Sequence, residues 1–309
     1  MGLPVKTALV LLAAFLVLTP ACGPKGGAKD PASAEAGNFR FAPRIGSKFR
    51  HIQTRAQEMS IVGTPLHQIE EWKLTWDVEL SSEQDAILLR ATMHALELAV
   101  NGAPVLRGDE VTAKQAFVEV LLDSTGGVID VRRTQTLTDA IVSVARPEAA
   151  DAVRAIFDPE ALRYHFAGLV AERTLDLSGR PSAVGSSWQV DAAPDAPGAA
   201  TRTLRVTAAE PCGAFSCVRV ARETRIAPEI VWDAAKADVA EYVTSQGGDA
   251  TAVNLEKADV ELVDEMLVEP ATLQFHGASF SQVATISVQT PKGPLTVKSS
   301  LKRASTYEY

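Results

Sequence analysis

The sequence lacks the short motifs that usually mark an enzyme or a cofactor-binding protein. It contains no HExxH, GxSxG, GxxxxGK, GxGxxG or EF-hand pattern, and no two of its five histidines are four residues apart. A catalytic group assembled from distant residues would leave no such pattern. On these grounds we expect a protein that is not an enzyme and that carries no metal and no cofactor.

Clusters of basic residues are also missing, and the balance of charge is acidic. The sequence has 30 Lys and Arg against 38 Asp and Glu, a formal net charge of −8. Residues 1–21 contain Lys6 and no acidic residue, so their removal takes the net charge from −8 to −9. A mildly acidic chain without basic patches disfavours nucleic acid and anionic lipid headgroups as partners.

Only the beginning of the chain contains a long uncharged apolar run, from Thr7 to Leu18, and Lys6 precedes it. As a helix this run is about 18 Å long, which is too short for a hydrocarbon core of about 30 Å. A basic residue, a short apolar core and a site of small residues are typical of a secretory signal peptide. We assign this signal peptide to residues 1–21.

The end of the signal peptide, Ala21 followed by Cys22, resembles the lipobox of bacterial lipoproteins. Ala21 supplies the small residue of that motif, whereas Pro20 departs from its usual pattern. The resemblance implies that Cys22 becomes the first mature residue and carries acyl chains such as palmitate, which anchor it to a membrane. Gly23 stands where a retention aspartate would be, which implies the outer membrane, facing the periplasm. The alternative is an ordinary cleaved signal followed by a coincidental cysteine.

The segment after this cysteine, residues 22–38, is rich in Gly, Ala, Ser and Pro and has no apolar periodicity. Such a composition predicts a flexible tether with a root-mean-square span of about 23 Å. The remaining residues, 39–309, are numerous enough for one large domain with its own core. A division of this domain into halves, 39–180 and 181–309, is the alternative.

Cysteine is scarce, since Cys212 and Cys217 are the only cysteines after Cys22. Alternating stretches on both sides of this pair predict the two strands of a hairpin. In an oxidising compartment we expect the pair to form a disulfide that closes the turn. No second cysteine pair or histidine cluster lies nearby in the sequence, so a zinc site and a thiol-redox motif are the weaker interpretations.

Aromatic residues make up only 6% of the chain, yet two tryptophans lie in the short stretch EWKLTWDVEL, residues 71–80. Its apolar residues alternate with charged and hydroxyl residues, which is typical of an antiparallel strand with one face in water. We expect Trp72 and Trp76 to face a core, and a lining for a hydrophobic ligand is the alternative. In the next strand the apolar phase changes between Ala95 and Leu96, which predicts a β-bulge.

The order of the segments predicts the fold class. Helical spacing occurs at residues 137–145, 158–170 and 229–246, and strand patterns with turn signals occur before, between and after these ranges. We therefore predict an α+β fold, in which a large curved, half-barrel-like antiparallel sheet carries helices packed on its concave face.

A lipidated cysteine, a tether, a long antiparallel sheet and covering helices together resemble the LolA/LolB-like lipoprotein-carrier fold, which binds acyl chains between sheet and helices. In addition, GRPSAVGSSWQV, residues 179–190, is similar to a segment of uncharacterised bacterial envelope lipoproteins, with Gly185 and Trp188 matching. These resemblances imply a membrane-anchored periplasmic lipoprotein that binds or carries hydrophobic ligands such as lipid. The alternative is a structural or interaction protein that contacts another envelope protein and holds no ligand.

Overall fold

The structure is a computed structural model. It describes residues 37–64, 67–106, 116–147, 150–190, 201–225, 239–240, 243–244, 247, 249, 251, 253–290 and 293–309. The predicted signal peptide, Cys22 and nearly all of the predicted tether lie outside the described residues, as does most of the helix predicted at 229–246.

The described residues form twelve strands and three helices. The strands are β1 (Lys48–Ile61), β2 (His67–Glu83), β3 (Ala86–Val100), β4 (Ala103–Leu106), β5 (Phe117–Leu122), β6 (Val128–Arg132), β7 (Ser187–Val190), β8 (Thr201–Cys212), β9 (Phe215–Arg225), β10 (Asn254–Val268), β11 (Phe275–Thr290) and β12 (Gly293–Glu308). The helices are α1 (Thr134–Val142), α2 (Ala150–Ile156) and α3 (Pro159–Leu177), which lie between β6 and β7 in the chain.

All twelve strands belong to one antiparallel sheet. Its order is β6-β5-β3-β2-β1-β12-β11-β10-β9-β8-β7, and the short β4 pairs with β3 beside that path. At the centre, β1 pairs with β12 from Arg50 opposite Glu308 to Ile61 opposite Val297. This pairing joins two flanks, which we call the first flank (β2, β3, β5 and β6) and the second flank (β8, β9 and β10).

Strand β2 follows the alternation that its sequence predicts. Its even-numbered residues from Gln68 to Leu80 are buried, whereas most residues between them are exposed or half-buried. The predicted bulge in β3 is confirmed, because Thr75 pairs with Ala95 and Trp76 pairs with Met93. His94 is therefore the extra residue, and the bulge keeps the apolar residues on both sides of it on the buried face.

The predicted α+β class is wrong, because the protein is mainly β. The described residues are 62% strand and 15% helix. Helical spacing in a sequence indicates that a helix is present but not what fraction of the fold is helical. Among the described residues, twelve strands outnumber three helices. Strand β1 gives a second reason why the sequence underestimates the sheet. Its buried face carries Gln53, Arg55 and Gln57, so its sequence does not alternate between apolar and polar residues.

Helix α3 begins where the sequence predicts a helix start. The side chain of Asp158 accepts hydrogen bonds from the backbone N–H groups of Glu160 and Ala161, and Pro159 opens the helix. None of the described helices is long and apolar enough to cross a membrane.

Three apolar clusters lie beneath the sheet. The largest joins the first flank to residues of all three helices, including Phe166 of α3, and to Phe157 in the turn between α2 and α3. A second lies over the centre and groups Met59 and Ile286 with Val239 and Val243. The third joins the second flank to Phe39 and to Leu177 of α3. Helix α3 thus contributes to the clusters of both flanks.

Candidate functional site

A row of buried polar side chains separates the apolar clusters at the centre of the sheet, and we call it the polar band. Its members are Gln53, Arg55 and Gln57 of β1, Gln68 and Glu70 of β2, Gln282 of β11, and Ser299 and Ser305 of β12, each no more than 9% exposed. They share one face because the strand register places them there: Gln57 is opposite Glu70, and Arg55 is opposite Trp72. The band is an unusual use of buried positions, since polar residues are mostly found at the surface.

Arg55, Glu70 and Gln57 form the centre of the polar band, next to Trp72. The Arg55 guanidinium lies 4.7 Å from the centroid of the Trp72 ring. Arg55 donates a hydrogen bond to Oε1 of Gln57, and Nε1 of Trp72 donates one to Oε1 of Glu70. Each of these polar side chains therefore has at least one hydrogen bond that fixes its position.

Burial disfavours both charges at this centre. It raises the pKa of the Glu70 carboxyl above its ordinary value, although Arg55 and the hydrogen bond from Trp72 act in the opposite direction. Burial also lowers the pKa of Arg55, against the influence of Glu70. The pair is thus enclosed in surroundings that penalise an isolated charge.

Three polar atoms at this centre are buried without a hydrogen-bond partner among the described residues: Arg55 Nε, Gln57 Nε2 and Glu70 Oε2. Each unsatisfied buried polar group costs about 1–3 kcal/mol. Together they offer two donors and one acceptor. A carboxylic acid matches this set, because its oxygens accept hydrogen bonds and its hydroxyl donates one.

A second set of buried charges, which we call the charged network, joins α3 to the second flank. Asp176 of α3 lies 3.2 Å from Arg202 and 3.5 Å from Arg222, and Arg222 lies 2.5 Å from Asp264. All four residues are at most 8% exposed. Burial raises the pKa of Asp176, while the two arginines oppose the rise. Two positive and two negative charges balance, so the network is suited to holding α3 in place.

The two tryptophans predicted as core or ligand lining lie in the apolar cluster of the first flank. The Trp72 ring is 5.5 Å from Phe157, and the Trp76 ring is 5.6 Å from Phe166, measured between centroids. Their exposed fractions are 9% and 6%. Phe157 and Phe166 occupy the positions that a ligand would need, so the contacts of these two tryptophan rings support core packing more than a cavity.

The predicted disulfide pair lies at the turn between β8 and β9. The Sγ atoms of Cys212 and Cys217 are at bonding distance, and the Cα atoms are 5.8 Å apart. His276 of β11 lies beside them, and we call these three residues the thiol corner. Burial lowers the pKa of His276, Glu269 acts to raise it and Arg44 acts to lower it. Cys22, the predicted lipidation site, lies outside the described residues, so its lipidation stays a prediction.

The polar band and the charged network were not among the residues that sequence reasoning selected. A signal for Asp264 is nevertheless present, because it lies in phase with Val260 and Leu262 of the same strand. A charged residue in phase with apolar ones marks a buried charge. Asp176 gives no comparable signal, since its partners Arg202 and Arg222 are remote in the sequence.

No protein-family model matches this chain, and no curated protein sequence matches it. Among solved structures, an exported protein with a YmcC-like fold from Bacteroides fragilis is 12% identical with a TM-score of 0.22, over 85% of this chain and 97% of that one. DynF from the dynemicin biosynthesis pathway of Micromonospora chersina is 7% identical with a TM-score of 0.20, over 92% of each chain. A DUF1329 family protein from Desulfovibrio piger is 8% identical with a TM-score of 0.13, over 100% of this chain and 94% of that one. These similarities are too low to assign a ligand or a function.

Proposed function

We propose that this protein is a periplasmic lipoprotein of the outer membrane, anchored through Cys22, that binds an amphipathic ligand beneath its sheet. The ligand has an apolar chain and an acidic head group, as a fatty acid has. One observation carries the proposal: the polar band lies between apolar clusters on the same buried face and contains polar atoms without protein partners among the described residues.

The chemistry of the polar band defines the head group. Arg55 supplies a buried positive charge, and Gln57 supplies a further N–H donor. Because burial raises the pKa of Glu70, this carboxyl shares a proton more readily with a bound acid than an exposed glutamate does. A head group held there is desolvated, and its hydrogen bonds to a charged donor are each worth about 1.5–3 kcal/mol.

The apolar chain of such a ligand lies along the central cluster. Met59, Ile61 and Val297 are on the same face as the polar band and continue from it along β1 and β12. The first flank offers less room, because its tryptophans already contact Phe157 and Phe166. The proposal therefore assigns the ligand to the centre of the sheet.

The packed tryptophans favour a second candidate, an interaction protein of the envelope that holds no ligand. In that case the polar band is a structural feature filled by water or by other parts of the chain. Both candidates share the membrane anchor and a non-catalytic role. They differ in whether a saturable ligand exists.

Fluorescence quenching by a brominated fatty acid distinguishes the two, because Trp72 lies beside Arg55. We expect saturable quenching of the exported protein, and binding at least about 10-fold weaker after Arg55→Met, equal to about 1.4 kcal/mol. The matched control is Arg50→Met, since Arg50 lies on the opposite face of the same strand and pairs with Asp77. Arg55→Lys retains the charge and is expected to bind more tightly than Arg55→Met.

Absence of saturable quenching in the folded wild-type protein would reject the ligand and leave the interaction protein. Equal affinity for a fatty acid and the corresponding fatty alcohol would reject the acidic head group. The anchor has a separate test, which is incorporation of radiolabelled palmitate. We expect incorporation in the wild type and none after Cys22→Ala, and an unlabelled, freely soluble wild type would reject the anchor.

A further inference from the structure

The thiol corner brings together metal-ligating side chains from three strands. Cys212 ends β8, Cys217 lies in β9 and His276 lies near the start of β11. The two sulfurs and a ring nitrogen of His276 all lie within 4.8 Å of one another. The histidine is remote from the cysteines in the sequence, so the fold creates this group.

His276 presents a nitrogen that the described part of the protein leaves unused. Its Nε2 atom is buried and has no hydrogen-bond partner among the described residues. The ring is held between Phe215, at 5.6 Å, and Tyr309, at 4.8 Å between centroids. A neutral imidazole fixed in this way is a suitable metal ligand, and a cation bound at Nε2 would satisfy the buried nitrogen.

We infer that the thiol corner binds Zn²⁺ through Cys212, Cys217 and His276 once the disulfide is reduced. Two thiolates and one imidazole form a ligand set that Zn²⁺ uses, with a fourth tetrahedral position left for water. The cysteines are 7% and 2% exposed, so the sulfurs are enclosed. Two thiolate charges neutralise Zn²⁺, which reduces the penalty of burying the ion.

The geometry requires side-chain rotation rather than a change of the backbone. The two cysteine Cα atoms are 5.8 Å apart in the hairpin. Zn–S bonds of about 2.3 Å at a tetrahedral angle separate two sulfurs by about 3.8 Å. Rotation about the Cα–Cβ bonds of both cysteines supplies this separation.

The chemistry proceeds in two balanced steps. A dithiol reductant transfers two electrons and two protons to the S–S bond, which gives two cysteine thiols while the reductant becomes a disulfide. Zn²⁺ then displaces the two thiol protons and forms two Zn–S bonds and one Zn–N bond, with no change in its oxidation state. Because the same sulfurs take part in both states, oxidation excludes the metal. The thiol corner is therefore a metal site under redox control.

Cobalt absorption spectroscopy tests this site in the exported full-length protein carrying Cys22→Ala, which removes the remaining cysteine. The protein is reduced with a phosphine and titrated with Co²⁺, whose bonds to thiolate produce charge-transfer absorption. We expect one equivalent to bind in the reduced protein, displacement by Zn²⁺, and no such absorption in the oxidised protein.

The histidine has its own variants. His276→Phe preserves a ring between Phe215 and Tyr309 but removes the nitrogen, and we expect Zn²⁺ affinity to fall at least about 10-fold. The matched control is His51→Phe, because the His51 ring also contacts a tyrosine ring, 4.5 Å from Tyr307 between centroids, outside the thiol corner. His276→Gln is the second variant, used if the phenylalanine protein does not fold.

Two results would overturn the inference. The first is a folded, reduced protein that shows no thiolate-to-cobalt absorption. The second is an affinity for Zn²⁺ that is the same in the His276 variant as in His51→Phe. Neither result bears on the fatty-acid proposal, because the polar band and the thiol corner share no residue.

Discussion

The two halves of helix α3 are held by different sets of contacts, and the difference shows which part of the fold is adaptable. In its first half, Phe166 packs edge-to-face on Trp76 in the apolar cluster of the first flank. At its last turn, Leu177 lies in the apolar cluster of the second flank, and Asp176 in addition contacts Arg202 and Arg222 in the charged network. Apolar packing is non-directional, so many arrangements of similar volume satisfy it. A buried ion pair is satisfied by few arrangements, because a buried charge that loses its partner strongly destabilises the folded state.

The comparison explains how one helix, α3, can pack against both flanks of a sheet of twelve strands. Both flanks bury apolar residues of α3, and the second flank adds buried ion pairs that fix the position of its last turn. The polar band lies between the two flanks. Its buried residues are polar, and three of its polar atoms have no hydrogen-bond partner among the described residues. Four changes test the contributions of the two flanks, the disulfide and the polar band.

The largest effect is expected from Trp76→Ala on the first flank. Removal of a buried aromatic side chain should lower the free energy of unfolding by about 3–5 kcal/mol, measured by urea denaturation. The same change at Trp72 should act similarly. Tyr164→Ala is the control, since Tyr164 of α3 is 64% exposed, and about 0.5 kcal/mol or less is expected. A loss near 1 kcal/mol at Trp76 would show that this flank is not fully packed.

Arg222→Met should cost about 3 kcal/mol on the second flank, because it leaves Asp176 and Asp264 buried without one of their partners. The characteristic result is recovery: adding Asp264→Leu to the same chain should restore most of the loss. Arg219→Met is the control, since Arg219 lies on the other face of β9 and forms half-exposed ion pairs. Simple addition of the two losses, without recovery, would contradict a role for charge balance.

The disulfide should contribute less than either flank. Cys217→Ser is expected to leave the fold intact and to lower the free energy of unfolding by about 2 kcal/mol at most, because the closed loop is short. Mass spectrometry of a non-reduced digest checks the bond itself. We expect the peptides of Cys212 and Cys217 to be linked in the exported protein, and two free thiols there would refute the predicted pairing.

The smallest effect concerns the pH dependence produced by Glu70. Burial raises its folded-state pKa above the unfolded value of 4.5, so the folded state binds more protons than the unfolded state between the two values. Stability from this group is present below the unfolded pKa and is lost as pH rises through the folded pKa. The advantage of Glu70→Gln over the wild type, measured by urea denaturation, should therefore grow as the pH rises above about 4.5 and become constant above the folded-state pKa. The difference in the free energy of unfolding between the two proteins should grow by at most about 1.4 kcal/mol per pH unit.

Glu71→Gln is the control for this measurement, because Glu71 is the next residue of β2 and its side chain is exposed. Its difference from the wild type should stay constant over the same range. A constant difference for Glu70→Gln as well would show that burial does not raise the pKa of this carboxyl.

How far the fold could be read from the sequence depended on which residues each strand buries. Strand β2 was predictable, because its buried face is largely apolar and its exposed face is charged. Strand β1 was not, because Gln53, Arg55 and Gln57 occupy the buried positions and make the two faces alike in composition. The sequence therefore underestimated the extent of the sheet, and the α+β class, which was predicted from the presence and order of helical segments, was wrong.

The candidate site was less predictable than the fold for a related reason. The polar band and the thiol corner depend on register between strands, and register is a property of pairs of segments rather than of either one. The cysteine pair itself was visible as a local pattern. That His276 lies beside it follows only from the arrangement of β8, β9 and β11 in the folded sheet.

The pairing of β1 with β12 has a consequence for how the protein acquires its structure. These strands occupy opposite ends of the described chain, so the centre of the sheet has a high contact order, and closing so long a loop slows folding. Hairpins such as β2–β3 and β10–β11 pair neighbouring segments and can form early. The two flanks then remain separate until β12 arrives, with β1 and β11 as open edges that can aggregate. A chain that crosses a membrane unfolded would need protection during this interval.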